Sequence, residues 1–162
     1  MASTHVFSES NGAGENITDG ISNINMGSID TPNLVPGAYL VAVGTNSFCK
    51  YIRSKFTGVW TEISNMKFWK SSGALVAGET VKASANATYT TPSEVDTGDS
   101  NCPTDVGTAL AINSAEGATT IIYDAPGVSG YSGYVRLQIQ STVETPSGQG
   151  NQKEYIFQFD ES

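Results

Sequence analysis

Histidine occurs once in these 162 residues, as His5, and cysteine twice, as Cys49 and Cys102. A single imidazole excludes a three-histidine metal site or a histidine-centred triad built within one chain. Charge is sparse, at 15% of residues, and eight basic against sixteen acidic side chains leave a net charge of -8. Such a chain is a poor match for a phosphate backbone, so nucleic acid is not expected as a partner. No apolar stretch approaches the roughly 18 residues of a membrane span, and Met1-Ala2-Ser3-Thr4-His5 lacks the basic start and apolar run of a signal peptide. The expectation is therefore no membrane and synthesis in the cytoplasm. There, two reduced, partly buried thiols are the default, with a Cys49–Cys102 disulfide as the alternative.

Short motifs of catalysis are also incomplete. Asp96-Thr97-Gly98 copies the tripeptide of aspartic proteases, but that mechanism needs two carboxylates sharing a proton, and here Asp99-Ser100-Asn101 follows in a polar loop. Asp96, Asp99, Asn101 and Asp105 offer oxygen atoms to a cation without the alternate spacing or terminal glutamate of an EF-hand. Gly127-Val128-Ser129-Gly130 has Tyr131 where a nucleophile elbow needs glycine, and Gly12-Ala13-Gly14 lacks the third glycine of a dinucleotide loop. The expectation is no catalytic residue, no metal and no cofactor.

What is present is the vocabulary of strands and turns: seventeen glycines with many Ser, Thr and Asn, in a chain long enough to bury roughly 70% of its unfolded surface. Alternation is cleanest near the end. Tyr134 to Val143 sets mostly apolar residues on one face, and a second run sets Tyr155, Phe157 and Phe159 together; around the Thr145–Asn151 turn residues these read as a hairpin. Ala38 to Val43 reads as a buried strand after Pro36-Gly37. In Phe48 to Thr57, Phe48, Ile52 and Phe56 share one side, with Cys49, Tyr51, Arg53 and Lys55 on the other. Val59 to Ile63 and Met66 to Trp69 flank a Ser64-Asn65 turn, and both tryptophans, Trp60 and Trp69, suit a core aromatic cluster more than a ligand platform. Thr80 to Ser84, Ala87 to Thr90, Thr108 to Asn113 and Thr119 to Asp124 complete the strand candidates, and Thr91 to Val106 reads as an exposed loop.

These runs predict an all-β fold, an antiparallel β-sandwich (Ig-like or jelly-roll) over 34–162, preceded by an extended polar N-terminal arm over 1–33. The arm holds one aromatic, Phe7, and places Ile17, Ile21, Ile24 and Met26 at spacings that suit laying it against a surface, of this domain or of a neighbour. The positive charge gathers in one segment: Lys50, Arg53, Lys55, Lys67 and Lys70 beside Glu62 make positions 50 to 70 net +4 and leave -12 elsewhere. That segment reads as a solvated basic strand face, or as a contact surface for an acidic partner or a second copy.

Three stretches, Asn23 to Leu34, Lys55-Phe56-Thr57-Gly58 through Ile63 to Lys70, and Gly133-Tyr134-Val135 through Gln152-Lys153 to Glu161, together resemble small virion structural proteins of tailed bacteriophages. A β-domain of this size with an arm looks most like a capsid decoration, or cement, protein. The resemblance implies a non-enzymatic protein on the capsid surface, made in the host cytoplasm. Its partner would be the major capsid protein, and it would be a homo-oligomer, with a trimer favoured and a dimer next. The candidate partner-binding residues are then the five basic side chains and the four apolar arm residues named above. A tail- or fibre-associated β-domain binding carbohydrate or a host surface is the other reading; it would expose Trp60, Trp69, Tyr131 or Tyr134. A protease would need a dimer that brings two Asp96 carboxylates together.

Overall fold

The computed structural model describes residues 3–58, 60–96, 100–112, 122–123, 130–148 and 150–162, the pair 122–123 through its backbone. Asp96-Thr97-Gly98 beyond Asp96, Gly127-Val128-Ser129, and most of the Thr119–Asp124 strand candidate lie outside these residues. The described strands are β1 (Thr4–Asn11), β2 (Asn16–Asp19), β3 (Lys50–Thr57), β4 (Glu62–Ser72), β5 (Glu79–Asn86), β6 (Ser100–Asn101), β7 (Leu110–Ala111), β8 (Ile122–Tyr123), β9 (Gly130–Tyr131), β10 (Tyr134–Ser141) and β11 (Glu154–Glu161). They form two antiparallel sheets. The larger runs β2-β1-β3-β10-β5-β6 with β9 also on β3, and the smaller runs β11-β4-β7 with β8 also on β4.

The sheets pack face to face as a sandwich. Alternation places Ile52, Phe56, Val81, Ala83, Val135 and Leu137 of the large sheet inward, against Ile63, Met66, Phe68 and Phe157 of the small one. Edge-on aromatic contacts bridge the layers, with Phe56 and Phe159 centroids 4.9 Å apart and Phe7 and Phe157 6.1 Å apart. Cys49 and Cys102 are both buried as free thiols. Cys102 sits in this main core and Cys49 in a separate cluster with Tyr51 and Tyr134.

The terminal hairpin does not form. β10 pairs with β3 and β5, whereas β11 pairs with β4, so the two runs lie in opposite layers. Each had an apolar face to cover; both faces meet the shared core from opposite layers, which alternation permits as readily as lateral pairing.

Residues 3–33, the described part of the expected arm over 1–33, do not form a separate arm either. β1 pairs with β3 from Thr4↔Thr57 to Ser10↔Tyr51 and folds back on β2. Its polarity conceals burial, since Ser8, Glu9, Ser10 and Asn11 are all buried. Most of their polar groups find partners, Ser8 Oγ donating to Asp19 Oδ1 at 2.8 Å and Asn11 Nδ2 to Glu9 Oε1 at 2.8 Å, while Glu9 Oε2 and Asn11 Oδ1 have none among the described residues. Beyond β2, Ile21, Ile24 and Met26 pack against this domain's own core.

Two further strand readings change. Ala38 to Val43 is an exposed bend, with positive φ at Gly37 and Gly44 turning the chain at either end. Ser64-Asn65 is not a turn: β4 runs straight through it, and Asn65 at φ 51° marks a bulge opposite the register shift between Gln158 and Asp160. Ala87 to Thr90 leaves the sheet after β5. Trp60 is buried in the core as expected, but Trp69 faces outward, half-buried opposite Ile156.

Candidate functional site

At one end of the sandwich the layers part around a cleft of about 730 Å³. Its walls are Phe7 and Ile139 of the large sheet, Tyr155 of the small one, and Ile21, Ile24 and Met26 from the segment after β2. That segment is pinned as it crosses. Ser22 N–H donates to Asn33 Oδ1 at 2.7 Å, Asn25 Nδ2 donates to the Leu34 carbonyl at 2.7 Å, and Leu34 is buried beneath them. Phe48 N–H bonds the Gly27 carbonyl and Ser28 N–H bonds the Tyr39 carbonyl, each at 3.0 Å. Gly27 is required here, because a Cβ would stand 2.5 Å from the Tyr39 carbonyl oxygen.

The bend from Val35 to Val43 forms one lip of the cleft, and its apolar side chains face water: Val35 is 69% exposed, Leu40 53%, Tyr39 48% and Val43 43%. Val143, 85% exposed, lies against Gly44 and extends the same patch. Scattered exposed apolar residues are ordinary, but five gathered on two adjacent turns around a cleft are the pattern of a contact surface.

The charged groups of the cleft are matched to each other. Lys153 Nζ lies 2.7 Å from Glu79 Oε1, with both side chains buried; Val76 N–H donates to Glu79 Oε2 at 3.0 Å. Tyr155 stacks on Phe68 with centroids 5.5 Å apart, and its hydroxyl has no hydrogen-bond partner among the described residues. Burial raises that phenol far above its ordinary pKa, so it is a neutral donor. A neutralised floor and apolar walls suit the burial of an apolar partner.

The basic residues picked out from the sequence do not form one patch. Lys50 is buried on the inner face of β3, its Nζ 2.6 Å from Glu9 Oε1 and 2.9 Å from the Thr31 carbonyl. Arg53 and Lys55 lie on the outer face of the large sheet. Arg53 sits over the Tyr131 and Tyr134 rings at 4.1 and 4.6 Å and 3.3 Å from Glu15; Lys55 pairs with Asp19 at 2.5 Å. Lys67 lies on the outer face of the small sheet, on the far side of the molecule, and Lys70 Nζ is spent on the Gly73 carbonyl at 2.7 Å. Of the apolar candidates, Ile21, Ile24 and Met26 line the cleft, while Ile17 is exposed on β2. Sequence reading missed Glu79 and Lys153, whose pairing spans distant segments. It also took the lip for a buried strand, because the run from Ala38 to Val43 is nearly all apolar.

The aromatic face named for carbohydrate is closed to stacking at Trp60, which is buried, and at Tyr134, whose hydroxyl donates to Glu15 and whose phenol burial pushes up to about 12. No protein-family model, curated protein or solved structure matches this chain.

Proposed function

We propose that this chain is a virion structural protein, a capsid decoration protein that binds neighbouring major capsid subunits and reinforces the assembled shell. The observation that carries the reading is the apolar lip from Val35 to Val43, which holds four exposed apolar side chains at the mouth of an apolar cleft. A binding protein presents such a surface to a partner, and the resemblance of the chain to phage virion proteins is what supports a capsid subunit as that partner. The basic segment first considered for that role is divided between opposite faces, so docking rests on apolar burial instead.

Burying one Leu or Val side chain of the lip contributes about 1.5 to 3 kcal/mol. Leu40→Asp should therefore weaken attachment to the shell by more than about tenfold while leaving the folded protein intact, because Leu40 is already half-exposed. Binding only to the assembled shell stabilises that state, so particles without the protein should break at a lower temperature. Three copies around a three-fold position are the favoured arrangement, with a dimer next. Immunogold microscopy of intact particles is the test. Label spread over the head supports the proposal, and label confined to the tail refutes it in favour of the tail-associated reading.

A further inference from the structure

β11 is the outer strand of the small sheet, and among the described residues no strand or loop bonds the backbone of its free edge. Natural sheets blunt an edge of this length with prolines, inward charges or covering loops, because unpaired N–H and C=O groups invite another strand. Here the central residues Tyr155 to Phe159 carry no charge and no proline. Inward-facing Phe157 and Phe159 are fixed by Phe7 and Phe56 of the opposite layer, so the edge is held rigid and extended. Since β11 lies over β1 and β3, the large sheet continues one strand further on this side, through β2.

The charges on this edge decide what can pair with it. Outward-facing Glu154 and Asp160 flank exposed Ile156 and Gln158, and Glu161 follows. Among the described residues each carboxylate bonds only neutral donors: Glu154 accepts from Ser72 Oγ, Asp160 from Asn65 Nδ2 and Glu161 from Ser3 Oγ, each at 2.7 Å. A second copy paired along the whole strand and centred on Phe157 would set Glu154 opposite Asp160 at both ends, two like-charge pairs between chains that each carry -8.

We propose that the free edge of β11 accepts an extended segment of another protein by antiparallel strand addition, with basic residues six positions apart opposite Glu154 and Asp160 and an apolar residue opposite Ile156. Backbone hydrogen bonds supply the attachment, and the flanking charges supply register and choice of partner. The edge adjoins the cleft at Tyr155, but its pairing does not use the lip, and the proposal holds whether or not the cleft docks on a shell.

The probe is the acetylated, amidated peptide Lys-Thr-Thr-Val-Val-Thr-Lys at millimolar concentration, compared with its counterpart bearing glutamate at both ends. Amide hydrogen exchange is followed by NMR in the full chain. The lysine peptide should slow exchange along β11 and bind about tenfold more tightly than the glutamate peptide. The double variant Glu154→Lys/Asp160→Lys, altered only at exposed positions, should reverse that preference. The proposal is overturned if neither peptide protects β11, if both protect it equally, if the preference survives charge reversal, or if protection falls on 35–43 instead. Concentration-dependent self-association that protects β11 in the wild type would also overturn it, by making a second copy the occupant.

Discussion

Replacing Lys50 with methionine tests the buried pair at the end of the large sheet. Lys50 and Glu9 are 3% and 0% exposed, 2.6 Å apart, and nothing else of positive charge reaches Glu9 among the described residues. Burial raises the Glu9 pKa above its ordinary 4.5, opposed by the charge and hydrogen bond of Lys50 and by a hydrogen bond from Asn11. Lys50→Met removes the main opposition and leaves the carboxyl to take up a proton. Holding a group of unfolded pKa 4.5 neutral at pH 7 costs about 3.4 kcal/mol, at about 1.4 kcal/mol per pH unit. This matches the 3 to 5 kcal/mol expected, to order of magnitude, when one partner of a buried pair is removed. The sign follows from a folded pKa above the unfolded one: stability is fully present below pH 4.5 and falls as pH rises. Urea unfolding of Lys50→Met should therefore show a stability deficit of about 3 kcal/mol at pH 7, relative to Lys50→Met/Glu9→Gln, shrinking to under about 1 kcal/mol at pH 5. A deficit that is small at pH 7, or identical at both pH values, would show that Lys50 and Glu9 are solvated and that the inward facing of β1 is wrong.

Phe157→Ala should cost about 3 to 5 kcal/mol in urea unfolding, since Phe157 is 8% exposed between Phe7 and Phe68; a cost below about 1 kcal/mol would return it to the surface. Gly27→Ala should cost about 1 to 3 kcal/mol, because its Cβ would meet the Tyr39 carbonyl and push the lip outward; unchanged stability would mean that the lip is not held against residues 27–28. Iodide should quench the emission of Trp69 and spare that of Trp60, so Trp69→Phe should leave fluorescence that iodide scarcely reaches. Strong quenching of the remaining emission would put Trp60 in solvent.

The alternation of apolar residues made the fold class legible, together with the cores of β3, β5, β10 and β11, because a period of two reports which side chains are buried. It does not report which strand lies alongside, and so β10 and β11 looked like one hairpin. β1 was hidden for a different reason. Ser8, Glu9, Ser10 and Asn11 look solvated in a sequence, and only the arrival of Asp19, Lys50 and Asp30 around them makes their burial tolerable. At Asn65 the two-residue cue for a turn and the cue for a bulge are the same, a residue that tolerates positive φ. The cleft was the least legible part. Its lip, walls and ion pair come from segments around residues 21–26, 35–43, 79 and 139–155, whose meeting is a property of the topology.

The partition of the last two long strands between the layers governs how this chain comes off the ribosome. β4 has its main neighbour in β11, with Ser72 and Glu154 bonded across 82 residues, and Ser3 bonds Glu161 across 158. β10, in turn, is the strand that joins β3 to β5. Neither layer is complete until its late strand emerges, so a nascent chain ending before Tyr134 carries β3, β4 and β5 with open edges on both sheets. Contacts this distant make for slow closure. During elongation those edges are a hazard for pairing between neighbouring nascent chains.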